Sequence, residues 1–87
     1  MKELKLLLRT AILLQLQAAS PIAISMKTIL CGLKLAGFDI DETQLLKHLD
    51  YLEKKGFVLA KREEISQGDL RYSLSLVAME YLEQRGF

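Results

Sequence analysis

Thr43, Lys47, Asp50, Tyr51 and Lys54 are spaced so that, at 100° per residue, they fall on one side of a helix. Lys47, Lys54 and Lys55 interleave there with Asp50 and Glu53. Such a face has two readings. It is a water-facing surface laced with ion pairs, or a set of cations that meets phosphate oxygens. Tyr51 can donate to a phosphate or stand in solvent. His48 lies at the edge of the neighbouring apolar stripe, where it can touch nucleic acid, sense pH or mark the boundary of the core. Cys31 is the single cysteine, and its mid-helix position predicts a buried thiol acting as a small hydrophobe. Gly68 is a lone turn glycine with no phosphate loop around it. No Ser/His/Asp set, carboxylate pair or metal-ligand spacing is visible. The expectation is a protein that is not an enzyme and uses no metal or cofactor.

The element that must carry these side chains is Asp41–Val58, DETQLLKHLDYLEKKGFV. Asp41 suits an N-cap, and Gln44 three residues later completes a capping box. Leu45, Leu49, Leu52 and Gly56 share the face opposite the cations. Gly56 suits the helix stop, and Phe57, Val58 and Leu59 suit a strand.

Composition sets the frame. The chain has 87 residues, 51% of them hydrophobic and 26% charged, which favours one folded domain, residues 1–87, over disorder. The net charge of +1 is a weak pull on any polyanion. One cysteine allows no internal disulfide, so a reducing, cytoplasmic setting is expected. The longest uncharged run, Thr10–Met26, contains Gln15, Gln17, Ser20 and Pro21, so no membrane span is expected. There is no secretory leader pattern, repeat or linker.

The remaining elements follow in order. Glu3–Ala19 reads as a first helix with Leu4, Leu7, Leu8, Ala11, Leu14 and Ala18 on its core face. Leu6 and Leu13 then point to the opposite side. A helix apolar nearly all round needs cover nearly all round, from a second copy of the chain or from a central place in the fold. Ser20-Pro21 breaks the helix. Ile22-Ala23-Ile24 suits a very short strand able to pair with a later hairpin. Ser25 suits the cap of a second helix, Met26–Ala36, with Ile29, Leu30, Leu33 and Met26 buried and Gly37 at its end. Phe57–Arg62 and Leu70–Ser75 read as a hairpin, because Tyr72 and Leu74 alternate with polar neighbours. Ser75 suits the cap of a last helix, Leu76–Arg85, with Ala78, Tyr81 and Leu82 inward and Gly86 closing it. Leu76, Val77 and Met79 exceed what one inner face needs. Together with Leu6 and Leu13 they predict a homodimer through the first and last helices.

The predicted class is therefore mainly α with a small β-hairpin (α+β). The order is helix, short strand, helix, helix, strand, loop, strand, helix. Gln44–Val58, QLLKHLDYLEKKGFV, resembles the recognition-helix-to-wing segment of the ArsR, MarR and PadR regulators of the winged helix-turn-helix superfamily. Tyr72-Ser73-Leu74-Ser75 followed by Tyr81-Leu82-Glu83 looks like the strand-then-helix ending of those proteins. The run from Ile12-Leu13 to Pro21 is similar to the ILxxLxxAxP opening of small winged-helix proteins of transposable bacteriophages. The resemblance implies a transcriptional regulator that inserts residues 41–56 into the major groove of double-stranded DNA. It implies that Thr43, Gln44, Lys47 and His48 face DNA with Tyr51 and Lys54 close by, and that Lys61, Arg62 and Arg71 serve the wing. The family's pattern is not followed everywhere: Leu46 stands where a small polar residue is common, and Asp50 puts a carboxylate on the outward face. A second reading, a winged-helix module that binds protein, is motivated by the near-neutral charge, the surplus apolar residues and the acids Glu63, Glu64 and Asp69.

Overall fold

The computed structural model describes the backbone of residues 2–62 and 70–87, and the side chains of residues 5–61 and 70–87. The expected loop Glu63–Asp69 and the side chains of Leu4 and Arg62 lie outside the described residues. Among the described residues the order is α1 (Lys2–Ala19), β1 (Ile24–Ser25), α2 (Met26–Leu35), α3 (Glu42–Lys54), β2 (Val58–Arg62), β3 (Leu70–Leu74) and α4 (Leu76–Gln84). The strands form one antiparallel sheet in the order β1-β3-β2. This is the α+β class that patterning predicts.

Local signals set nearly every boundary. Ser25 caps α2 by accepting from the Thr28 N–H at 3.3 Å, and Ser75 caps α4 by accepting from the Ala78 N–H at 3.2 Å. The end of α3 is a Schellman closure, with Gly56 N–H donating to Glu53 C=O at 3.0 Å and Phe57 N–H to Leu52 C=O at 2.9 Å. Gly56 has φ of +82°, which an L side chain adopts only at a cost. Gly37-Phe38 after α2 and Gly86-Phe87 after α4 close with the same pair of bonds.

β3 is the central strand. Its register sets Tyr72 between Ile24 and Ala60, and Leu74 opposite Val58. Tyr72, Leu74 and Val58 are buried, as side chains two apart on one face must be. They meet Leu8, Ile12, Leu13 and Leu16 of α1, Ile29 and Leu33 of α2, Leu45, Leu49 and Leu52 of α3, and Ala78 and Leu82 of α4 in one cluster. Phe57 stacks on Tyr81 with ring centroids 5.2 Å apart, which ties α4 to the start of the hairpin.

Two expectations are corrected. The buried face of α1 is turned by roughly a third of a turn from the predicted one. Leu7 is 60% exposed and Ala18 is exposed, whereas Leu13, expected to face outward, is 3% exposed. Periodicity cannot orient a helix that carries leucine or isoleucine on almost every side; packing against β3 and α2 decides, and it selects the stripe centred on Ile12 and Leu16. Cys31 is exposed, because burial of Ile29 and Leu33 turns the residue midway between them to the far side of α2. Among the described residues no helix is long and apolar enough to cross a membrane.

Candidate functional site

The site is built on α3, and its seat is covalently local. Asp41 Oδ1 accepts from the Gln44 N–H at 2.8 Å, and Gln44 Oε1 accepts from the Asp41 N–H at 3.0 Å. The capping box therefore uses the carbonyl of Gln44, one of the predicted contact residues, whose side chain is exposed. Leu45, Leu49 and Leu52 are buried beneath. Thr43, Lys47, Asp50, Tyr51 and Lys54 are all exposed on the other side. Gln44, His48, Tyr51 and Lys55 continue the same stripe, one position round the helix.

His48 is half-buried and has a partner that lies 39 residues away in the chain. The Arg9 Nε–H of α1 donates to His48 Nδ1 at 3.3 Å. The same guanidinium lies over the Tyr51 ring, 3.8 Å from its centroid, and Lys55 Nζ approaches that ring at 5.6 Å. Arg9 was not singled out from the sequence. Its signal was weak but present: a cation at the angular position between Leu13 and Leu16, on the buried side of an apolar helix, must find a partner at the rim of the core.

Burial lowers the pKa of His48 below its ordinary value of 6.5, and the positive charges of Arg9 and Lys5 lower it further. The unfolded chain takes up a proton as pH falls through about 6.5, and the folded chain resists it. Stability is thus full above that pH and declines below it. We expect the urea midpoint to fall between pH 7 and pH 5, and to fall measurably less in His48→Gln. Parallel declines in the two proteins would show that His48 does not contribute to the slope.

The sheet adds a second group of cations. The register aligns Ser25, Arg71 and Lys61 in one row across β1, β3 and β2. Alternation puts that row on the face opposite the buried Tyr72. Lys61 is exposed and Arg71 half-buried. A hollow of about 370 Å³, bordered by Ser25, Lys27, Leu46 and Arg71, lies between this row and α3. The structure thus brings Thr43, Gln44, Lys47, His48, Tyr51 and Lys54 together on α3, with Lys61 and Arg71 on the sheet. Of Arg62 only the backbone is described, paired with Leu70.

The predicted docking residues divide. Leu6, Leu76 and Val77 are exposed, whereas Leu13 lies in the core of its own chain and Met79 packs against that core. Leu13 is thereby removed from any surface, whereas Met79 is half-buried at the edge of the core. Among the described residues no group of three or more His, Cys, Asp or Glu is placed to hold a metal ion. No protein-family model matches the chain, and no curated protein matches it in sequence.

Proposed function

We propose that the chain is a winged helix-turn-helix protein that binds double-stranded DNA, with α2 and α3 as the helix pair, α3 in the major groove and the β2–β3 hairpin as the wing. The observation that carries this reading is the outward stripe of α3. The helix has 13 residues, about 20 Å, and it shows Thr43, Lys47, Tyr51 and Lys54 to solvent along its length while three leucines hold the other side. A major groove about 12 Å wide admits such a helix. Lysines at its edges can reach phosphates, and Thr43 and Gln44 stand at the N-terminal end, where recognition helices meet base edges. Lys61, on the sheet row, extends the cationic surface toward the hairpin. Regulation of transcription is the role proposed for a small protein of this kind.

The test is a titration of labelled duplex DNA across a salt series, with the wild type and Lys47→Ala/Lys54→Ala. Wild-type affinity is expected to fall steeply with salt. The double variant is expected to bind about tenfold or more weakly, with the salt slope reduced by about two. Equal affinity and slope in the two proteins would reject α3 as the contact surface.

One observation favours a different partner. Leu6, Leu76 and Val77 stay exposed in a chain of net charge +1, which suits docking on protein, including a second copy of the chain. Sedimentation at twice the chain mass, with no duplex retained even at low salt, would select that reading.

A further inference from the structure

We infer that Arg9 is a positioning residue of the α3 surface: reaching across from α1, its guanidinium holds His48 in one tautomer and Tyr51 in one ring orientation, so that both present neutral donors to a phosphate oxygen. The phosphate rests on the DNA-binding reading above; the positioning does not.

The argument starts from what arginine is able to do. Its guanidinium is always protonated and has donors only. The Nε–H that points at His48 Nδ1, 3.3 Å away, therefore requires a lone pair on Nδ1. In the neutral ring the proton then sits on Nε2, the nitrogen on the far side from Arg9. The Cζ of the same group lies over the Tyr51 ring, 3.8 Å from its centroid. One cation thus lies over one side chain of α3 and donates to another a turn away. Lysine has the same charge but no planar fork, so a single nitrogen would have to serve both contacts.

The surroundings keep Arg9 in this role. It is half-buried, between the angular positions of Leu13 and Leu16, which are buried in the core. Its stem is therefore anchored while its head stays at the rim. Tyr51 borders the stripe that carries Lys47 and Lys54, His48 lies one position further round toward the core, and Lys55 Nζ is 5.6 Å from the centroid of the tyrosine ring. Side chains already held in their binding geometry lose less entropy when a ligand arrives. Arg9 thereby acts on the ligand through His48 and Tyr51, in addition to supplying charge.

The experiment uses the full chain with nitrogen-15 labelling and its single histidine. Long-range proton–nitrogen spectra of the wild type, Arg9→Lys and Arg9→Gln are recorded at pH 8, beside duplex titrations and thermal melts. The wild type is expected to show one pattern, that of the Nε2–H tautomer. Arg9→Lys, with its charge kept, is expected to show a tautomer mixture and a duplex affinity about three- to fivefold lower at unchanged salt slope, the size of one neutral hydrogen bond. Arg9→Gln is expected to lose more and to lower the slope by about one. A wild-type Nδ1–H pattern, or a pattern unchanged in both variants, overturns the positioning. A changed pattern with full duplex affinity in Arg9→Lys overturns the link to the ligand. If the wild type binds no duplex, the DNA reading has failed, and the spectra still decide whether Arg9 positions His48.

Discussion

Replacing Leu49 with alanine is expected to lower the unfolding free energy by about 3–4 kcal/mol. The side chain is fully buried at the middle of α3, between Leu45 and Leu52, and its loss removes transfer energy and leaves a cavity. Domains of this size are stable by only about 5–15 kcal/mol, so the change takes a large share of the total. The position also sets how α3 is seated. Leu49 sits between His48 and Asp50 in sequence, and it presses α3 onto the body so that the lysine-bearing side faces out. A urea titration checks the claim: the midpoint should drop while the slope stays constant. A change under about 1 kcal/mol would mean that the cluster closes over the gap and that α3 is seated by other contacts.

Ser75→Ala is expected to cost about 2–3 kcal/mol, more than an ordinary helix cap. The Ser75 hydroxyl is buried and engaged twice. It accepts from the Ala78 N–H at 3.2 Å, and it donates to the Gly56 C=O at 2.6 Å. The Ser75 backbone N–H donates to Phe57 C=O at 3.1 Å. One residue thus starts α4 and grips the turn in which α3 becomes β2. Alanine removes the cap, about 1 kcal/mol, and leaves a part-buried carbonyl unpaired, about 1–3 kcal/mol more. Denaturant unfolding of the two proteins measures the difference. A loss no larger than that of a surface cap would show that the bond to Gly56 adds nothing.

Interactions that span a few residues were legible in the sequence. Asp41 with Gln44, Ser25 with Thr28 and Ser75 with Ala78 are capping pairs three residues apart, and all three form where the residue types predict. The buried set Leu45, Leu49 and Leu52 was equally legible, because α3 has one apolar stripe and one polar face. A short strand pairing with the hairpin was readable, but it was placed at Ile22-Ala23-Ile24 and forms at Ile24–Ser25, where it pairs with β3 at Tyr72 and Arg71. The predicted face of α1 was not the observed one, and the reason is specific. Leu6, Leu7, Leu8, Ile12, Leu13, Leu14 and Leu16 surround that helix, so its rotation carries almost no signal in the sequence. The exposed Cys31 was missed because a small hydrophobe mid-helix fits either side of α2.

The candidate site shows the same division. Thr43, Lys47, Tyr51 and Lys54 could be assigned to one face from helical geometry alone. Arg9 could not be assigned to that site, since its contact with His48 spans 39 residues and depends on the rotation of α1. Nor could the alignment of Ser25, Arg71 and Lys61 across the sheet, which follows from strand order.

By itself the sequence determined, to within a residue, where the helices and the two hairpin strands begin and end, and which side of α3 is apolar, because caps, glycine stops and residue period act within one or two turns of chain. Only the tertiary structure decided how α1 is rotated, that Leu13 belongs to the interior, and that Arg9 stands beside His48 and Tyr51. Those outcomes depend on which surfaces fit together, and apolar side chains placed all round a helix satisfy local rules in many orientations until packing selects one.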